Sequence, residues 1–389
     1  MSVAENVAGE PAARDMKSLP ELVEEAQRVL AICNACRYCE GYCAVFPALQ
    51  RRLAFNESDV HYLANLCHNC GSCLYACQYA PPHEFGLNFP RLMAQARAQT
   101  YRKYAWPGFL ARAFDANGLV TSLALAASLA FMLLFAALVA EPARLLTAFS
   151  DSQGSFYAVI PHNAMVAVFG TVSAFVVLAL AMGFVRFWPD MGEEPGDFAA
   201  PATTGSALGD ALTLKYLDGG GDGCTYPDEV PSFARRRFHH LTFYGFLLCF
   251  AATSTATLYH YVLGWKAPYP FWSVPVVLGT AGGIGLLVGP AGLLWLKRRR
   301  DPELADPGQK GMDAGFLALL FLASLTGLLL LALRETRAMG MLLVAHLGVV
   351  LALFVTMPYG KFVHALYRFA ALVRFHLERR RPLPDIAPE

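Results

Sequence analysis

Six long apolar segments limit the folds that this chain can adopt. They lie at residues 118–140, 157–187, 239–263, 271–296, 313–334 and 340–370. Each is longer than the roughly 20 residues that an α-helix needs to cross about 30 Å of hydrocarbon. Charged residues make up only 16% of the chain, whereas they make up about a quarter of a typical soluble domain. The sequence therefore predicts a mainly α protein with a transmembrane bundle of about six helices.

The positions of Lys and Arg predict how this bundle is oriented. The loops at 188–238 and 297–310 and the C-terminal tail contain clusters of Lys and Arg, whereas the connections at 141–156 and 264–270 carry one such residue each. The positive-inside rule places the basic loops and both termini in the cytoplasm. Residues 1–30 lack the apolar core of a signal peptide, which agrees with that orientation. We expect a multi-pass protein of the bacterial inner (cytoplasmic) membrane.

Eight of the ten cysteines form two copies of one motif, Cys-x2-Cys-x2-Cys-x3-Cys, within residues 33–77. In such motifs three close cysteines bind one iron–sulfur cubane, and the fourth ligand comes from the other motif. One predicted [4Fe–4S] cluster has the ligands Cys33, Cys36, Cys39 and Cys77, and the other has Cys67, Cys70, Cys73 and Cys43. Zinc is the alternative, but structural zinc sites favour two separated pairs of ligands.

These patterns divide the chain into four parts. Residues 1–15 are predicted to be disordered, and 16–105 to form a cytoplasmic, ferredoxin-like domain with both clusters. Residues 106–375 form the membrane domain, which includes the polar cytoplasmic loop 188–238, and 376–389 form a basic cytoplasmic tail. Loops longer than about 15 residues are usually functional or disordered, so the loop is expected to help dock a partner protein.

Histidines inside the apolar segments suggest a second type of cofactor, because ionisable groups in a bilayer are costly. His346 and His364 lie 18 residues apart on the last segment, which is about five helical turns, so both should share one face. On the third segment, His260 is closest in phase to His239, with His240 on the opposite face unless the first turn bends.

This helical phase predicts two pairs of histidines, with the two members of each pair at the same depth in the membrane. His239 or His240 would meet His364 near the cytoplasmic face, and His260 would meet His346 near the outer face. Such pairs are the axial ligands that one or two b haems require, and the alternative is histidines that hydrogen-bond within the bundle. His162 has no partner in phase: it could serve a quinone, replace an outer ligand or hydrogen-bond.

Several sequence motifs make this chain resemble a known family. The stretches CNACRYCEGYC and CHNCGSCLYAC are followed by KYLDGGGDGCTYP and RRRFHHLTFYGF, and together they resemble the tricarballylate (citrate) utilisation B proteins over nearly the whole chain. The resemblance implies a protein that reoxidises the flavin of a separate tricarballylate dehydrogenase and passes electrons towards the quinone pool. MPYGKFVHAL, at 357–366, is similar to the haem-ligating last span of nitrate reductase gamma subunits, which supports His364 as a ligand.

The predicted function is therefore membrane-bound electron transfer. The sequence lacks a GxGxxG motif opening a βαβ unit, so a partner FAD-dependent dehydrogenase on the cytoplasmic side should carry the substrate chemistry. The other partners are a membrane quinone and the lipid bilayer. A net charge of +1 gives no reason to expect nucleic acid. The alternative is a redox-sensing or transport-associated membrane iron–sulfur protein without haem.

Overall fold

The computed structural model describes residues 19–139, 142–148, 155–225 and 227–382. The predicted disordered segment 1–15 and the end of the predicted tail, after residue 382, lie outside these ranges. Five α-helices form the described part of the N-terminal head: α1 (Leu19–Cys36), α2 (Val45–Leu49), α3 (Glu57–Leu66), α4 (Ser72–Tyr75) and α5 (Phe89–Tyr104). Two of these helices are capped at their N-termini. The Asn56 side chain accepts from the Asp59 backbone N–H group at α3, the Asp59 carboxylate accepts in return from the Asn56 backbone N–H group, and Asn88 caps α5.

The remaining described residues form ten α-helices and one two-stranded sheet. The helices are α6 (Asn117–Val139), α7 (Ser155–Val159), α8 (His162–Asp190), α9 (Pro195–Phe198), α10 (Pro201–Leu212), α11 (Ala234–Leu263), α12 (Val274–Arg299), α13 (Lys310–Leu333), α14 (Met339–Thr356) and α15 (Val363–Arg380). The antiparallel strands are β1 (Cys224–Thr225) and β2 (Pro231–Ser232). Short 3₁₀ turns lie at Gly108–Phe114, Pro142–Leu146, Pro302–Leu304, Pro307–Gln309 and Met357–Tyr359.

Six helices in the described ranges are long and apolar enough to cross a membrane: α6, α8, α11, α12, α13 and α14. The protein is thus a multi-pass membrane protein with a mainly α fold, as the apolar segments predicted. Helices α11 and α12 pack very closely, since a Cβ atom added at Gly282 would lie 2.8 Å from the carbonyl oxygen of Gly245. Small residues allow such close backbone approach between membrane helices.

The last apolar segment differs from its prediction as one helix over 340–370. Helix α14 ends at Thr356, a 3₁₀ turn follows, and Gly360 has the extended angles φ −137° and ψ −165° before α15 begins. Pro358 explains the break, because proline lacks an N–H group and its ring clashes with the preceding helical turn. Helical phase therefore does not carry over from His346 to His364.

Helix α15 belongs to the head and not to the membrane bundle. Its side chains Tyr367, Ala370, Leu372 and Phe375 share one buried core with α1, α2, α3 and α5. The end of α8 joins this core through Phe187 and Trp188. A buried ion-pair network adds to the contact, with Arg52 and Arg374 both bonded to Glu378.

The predicted polar loop 188–238 is folded and packs against both parts. Helix α10 lies along α15, where Asp210 accepts a 2.8 Å hydrogen bond from His376. The β1–β2 hairpin lies on the second cysteine motif, and the Oγ1 atom of Thr225 is 3.2 Å from the Oγ atom of Ser72. The loop therefore covers the cysteine region instead of extending into solvent.

Candidate functional site

The first group of cysteines lies where helix α1 ends. Arg37 follows α1 with φ 56°, a left-handed conformation that stops the helix. One pocket beside this turn is lined by Cys33, Cys36, Cys39, Cys77, Tyr38, Phe46, Ala76, Gln78, Tyr79 and Leu87. It combines three cysteines of the first motif with the last cysteine of the second.

The second group surrounds the loop between α3 and α4. Gly71 has φ 90°, and an added Cβ atom there would lie 2.6 Å from the Thr225 carbonyl oxygen, so the loop requires glycine. Cys43 lies within electrostatic range of Cys67 and Cys70, and Cys73 lies within range of all three. Cys39 of the first motif interacts with Cys70 and Cys73 as well, so the two groups adjoin one another. The predicted second set, Cys43, Cys67, Cys70 and Cys73, stays a prediction and is called the second group below.

The chemistry of both groups fits iron–sulfur ligation. Burial, together with the charges of neighbouring cysteines, raises the pKa of the Cys33 and Cys39 thiols to about 12. Clusters bind thiolates, so ligation here would displace protons from these thiols. Among the described residues, no three Cys, His, Asp or Glu side chains are arranged to hold a single metal ion.

A cavity of about 300 Å³ lies between the second cysteine group and the membrane helices. His68 and Asn69 of the cysteine loop form part of its wall, and His239 of α11 and His364 of α15 form another part. Apolar side chains complete it, among them Phe243, Phe246, Leu293, Phe316, Leu317 and Leu320. The cavity therefore touches the predicted cluster loop and two of the predicted haem ligands.

His239 and His364 face each other with ring centroids 6.2 Å apart and planes at 79°. Imidazole nitrogens lie about 2 Å from a bound metal ion, so two rings on opposite sides of one ion have centroids about 6 Å apart. The Nδ1 atom of His364 donates to the carbonyl oxygen of Lys361 at 2.5 Å, which leaves Nε2 available as a ligand. The Nδ1 atom of His239 is buried and has no hydrogen-bond partner among the described residues. This pair fits a haem iron.

His240, the alternative to His239, lies elsewhere. Its ring packs near Tyr244, with a centroid distance of 5.8 Å, and it interacts with the backbone at Leu212 and Thr213. The structure therefore places His239, and not His240, opposite His364.

The predicted outer pair of His260 and His346 needs correction. His260 stacks on His162, with centroids 3.8 Å apart and planes at 12°, and His346 instead contacts Thr326, whose Oγ1 atom is 3.1 Å from Nδ1. Two rings stacked face to face do not have the opposed geometry of axial ligands. The prediction assumed a continuous last helix, and the break at Pro358 removes the helical phase on which it depended.

Four residues near the second cysteine group were not predicted as part of the site. Cys224 is fully buried beside the second cysteine group, and its thiol donates to the carbonyl oxygen of Leu217 at 3.7 Å. Arg97, Arg235 and Arg368 all donate to the backbone of residues 65–69. Arg235 belongs to a run of three arginines that indicated only membrane orientation, and no sequence signal singled out the other two.

Fold and site together define a class: multi-pass membrane proteins with an iron–sulfur-type, cysteine-rich head. Comparison with known proteins agrees with that class. The Citrate utilization protein B family matches residues 116–385, and the Citrate utilization protein B Fer4-like domain matches residues 26–103. The chain belongs to this family.

A curated relative supports the same membership. Citrate utilization protein B of Escherichia coli is 52% identical over 376 residues, which cover 94% of this chain and 95% of the relative. No solved structure matches the chain.

Proposed function

We propose that this chain is the quinone-reducing, electron-transfer subunit of a membrane-bound oxidoreductase system. One observation carries the proposal: the loop of the second cysteine group and the facing pair His239 and His364 border the same cavity. A one-electron carrier held by the cysteines and another held by the histidines would then be close neighbours. Iron–sulfur clusters and haems supply one-electron transfer when bound.

The two cysteine groups would hold two [4Fe–4S] clusters. The first uses Cys33, Cys36, Cys39 and Cys77, and the second uses Cys43, Cys67, Cys70 and Cys73. The first group is nearer the surface of the head, because Tyr38 beside it is 69% exposed whereas Cys67 and Cys70 are buried. Electrons would therefore arrive at the first group and leave through the second.

His239 and His364 would hold one b haem in the cavity. The basic side chains that line the same cavity are Arg97, Arg235, Lys297, Arg300, Lys361 and Arg368. The positive charge of Lys297, Arg300 and Lys361 suits the two propionate groups of a haem. The His260 site is left out of this assignment, since its ring stacks on His162.

The electron donor would be an FAD-dependent dehydrogenase on the cytoplasmic side. The relative is named for citrate utilisation, and we propose citrate or a related tricarboxylate such as tricarballylate as the substrate of that dehydrogenase. The loop 188–238 would help it dock, because Gly220 of this loop lies against Gly41 and Tyr42 of the first motif. The head, both termini and this loop would lie in the cytoplasm.

The order of carriers can be tested with purified protein in proteoliposomes. Reduced flavin mononucleotide serves as donor and a short-chain ubiquinone analogue as acceptor, with absorbance and electron paramagnetic resonance (EPR) spectra recorded at intervals. We expect donor-dependent reduction of clusters and b-type haem, then reoxidation by the quinone analogue. A protein whose reduced carriers are stable in the presence of the quinone analogue would refute quinone reduction.

A further inference from the structure

Three arginines from three different helices converge on one short loop of the second cysteine group. Arg235 of α11 donates to the carbonyl oxygens of Asn69 at 2.6 Å and His68 at 2.8 Å. Arg368 of α15 donates to the Cys67 carbonyl oxygen at 2.7 Å and to that of Asn65 at 3.1 Å. Arg97 of α5 also donates to the Cys67 carbonyl oxygen.

The positive charge at this loop is partly held away from bulk water, because Arg97 is buried and Arg235 and Arg368 are half-buried. Arg97 is only 6% exposed, and all three arginines line the cavity below the loop. The cavity is also lined by the carboxylates of Asp306 and Asp313. Asp313 is paired with Lys297 and Lys361, and Asp306 caps the backbone N–H group of Gly308 at 3.0 Å. The carboxylates are therefore engaged by other groups.

The charges lie close enough to act on the cysteine sulfurs. The positive charges of Arg97 and Arg368 act on the Cys67 sulfur, and the charge of Arg235 acts on the Cys70 sulfur. The backbone N–H group of Asn69 donates a hydrogen bond to the Cys67 sulfur at 3.4 Å. At the first group, the charged neighbours that most affect Cys33 and Cys39 are other cysteines. The two groups thus have different electrostatic surroundings.

A cluster gains one negative charge when it is reduced. Fixed positive charges in a poorly screened environment favour the reduced form, and so do hydrogen bonds to the ligating sulfurs. The positive charges raise the reduction potential of the second cluster relative to the first. The hydrogen bonds do not separate the two clusters, because the side chain of Gln78 donates to the Cys36 sulfur at 3.8 Å in the first group.

We propose that Arg97, Arg235 and Arg368 are positioning residues that make the second cluster the electron acceptor of the pair. One electron leaves the reduced first cluster, which becomes oxidised, and reduces the second cluster beside the cavity. The electron comes originally from the flavin of the partner dehydrogenase. This inference rests on the proposed function, because it requires both clusters.

An EPR-monitored redox titration of the full-length, cluster-loaded protein tests the inference. The variants Arg368→Gln and Arg235→Gln each remove one charge, while Arg368→Lys and Arg235→Lys keep it. Arg236→Gln is the matched control, because Arg236 is next to Arg235 on α11 but donates to Thr213, away from the cysteine loop. Cys36→Ser and Cys73→Ser assign each signal to its cluster.

We expect the second cluster to have the higher potential in the unmodified protein. Each Gln variant should weaken its reduction at least tenfold, a fall of about 59 mV for a one-electron couple. The first cluster, the Lys variants and Arg236→Gln should shift much less. The inference is overturned if the first cluster has the higher potential, or if neither Gln variant moves the second cluster.

Failure of the proposed function would look different. A protein without two clusters would refute that function before any variant is compared. Arg235 and Arg368 lie on different helices, so a folding defect in one Gln variant leaves the other as the test. If both Gln variants lose the second cluster while both Lys variants keep it, the arginines hold the loop together instead of setting its potential, and the inference is overturned.

Discussion

Arg368 donates a 2.7 Å hydrogen bond from its Nη2 atom to the carbonyl oxygen of Cys67, 301 residues earlier in the chain. This bond links the C-terminal helix α15 to the loop that would bind the second cluster. Because His364 lies one turn before Arg368 on the same helix, α15 connects that loop with the facing histidine pair. The C-terminal helix thus positions both candidate cofactor sites.

The facing histidines give the first prediction. His364→Ala should remove the b-type absorbance of the dithionite-reduced protein, because the haem iron loses an axial ligand. The EPR signals of the clusters should remain. His240→Ala is the matched control, since His240 is next to His239 but faces Tyr244, and it should keep the haem. Loss of haem in His240→Ala with retention in His364→Ala would contradict the assignment.

The outer histidines give a second prediction. His346→Ala should leave the haem content unchanged, because His346 contacts Thr326 and not a facing imidazole. Pyridine haemochrome analysis should find one haem per chain in both proteins. Two haems per chain in the unmodified protein and one in His346→Ala would contradict this prediction and support a second haem at His346.

The third prediction concerns the buried ion pairs between α15 and the rest of the head. Glu378 accepts from Arg374 at 3.0 Å and from the Tyr62 hydroxyl at 3.0 Å, and it also pairs with Arg52. Glu378→Ala leaves two buried guanidinium groups without this partner, so we expect the unfolding free energy of the head to fall by about 3 kcal/mol or more. Denaturant titration followed by cluster absorbance measures the loss.

An exposed ion pair provides the control for this change. Glu25 and Arg28 form a 2.8 Å pair on the surface of α1. Glu25→Ala should cost less than about 1 kcal/mol, because water already screens the charges. Equal losses in the two variants would show that the network around Glu378 adds little to stability.

The fourth prediction is a pH dependence of head stability. Burial lowers the pKa of His61, whose Nδ1 atom lies 2.9 Å from the Oγ1 atom of Thr100. The unfolded chain then binds a proton more readily than the folded head as pH falls through about 6.5. The stabilising contribution of neutral His61 is full above that pH and is lost below it.

Thermal unfolding between pH 7.5 and 5.5 measures this loss. His61→Gln should flatten the decline in melting temperature over that interval, whereas His83→Gln, a change near the head surface, should keep it. An unchanged slope in His61→Gln would exclude His61 as the group responsible.

Much of the architecture was predictable because it depends on local pattern. The length of the apolar segments predicted six membrane helices. Cysteine spacing predicted two clusters that exchange their fourth ligands; Cys77 lines one pocket with Cys33, Cys36 and Cys39, and the full ligand sets stay a prediction. The break before α15 was harder to foresee, since the apolar character continues through Pro358 and only the backbone reveals the turn. The arginine contacts at Cys67 and the stacking of His162 on His260 depend on tertiary packing, which spacing along the chain does not encode.

The most direct test of the whole account is cofactor analysis of the protein purified without oxygen. We expect about eight irons in clusters and eight acid-labile sulfides per chain. Reduction by dithionite should produce two cluster signals in the EPR spectrum and b-type absorbance bands. Stoichiometric zinc with no labile sulfide would contradict the central claim that this head carries electrons through two [4Fe–4S] clusters.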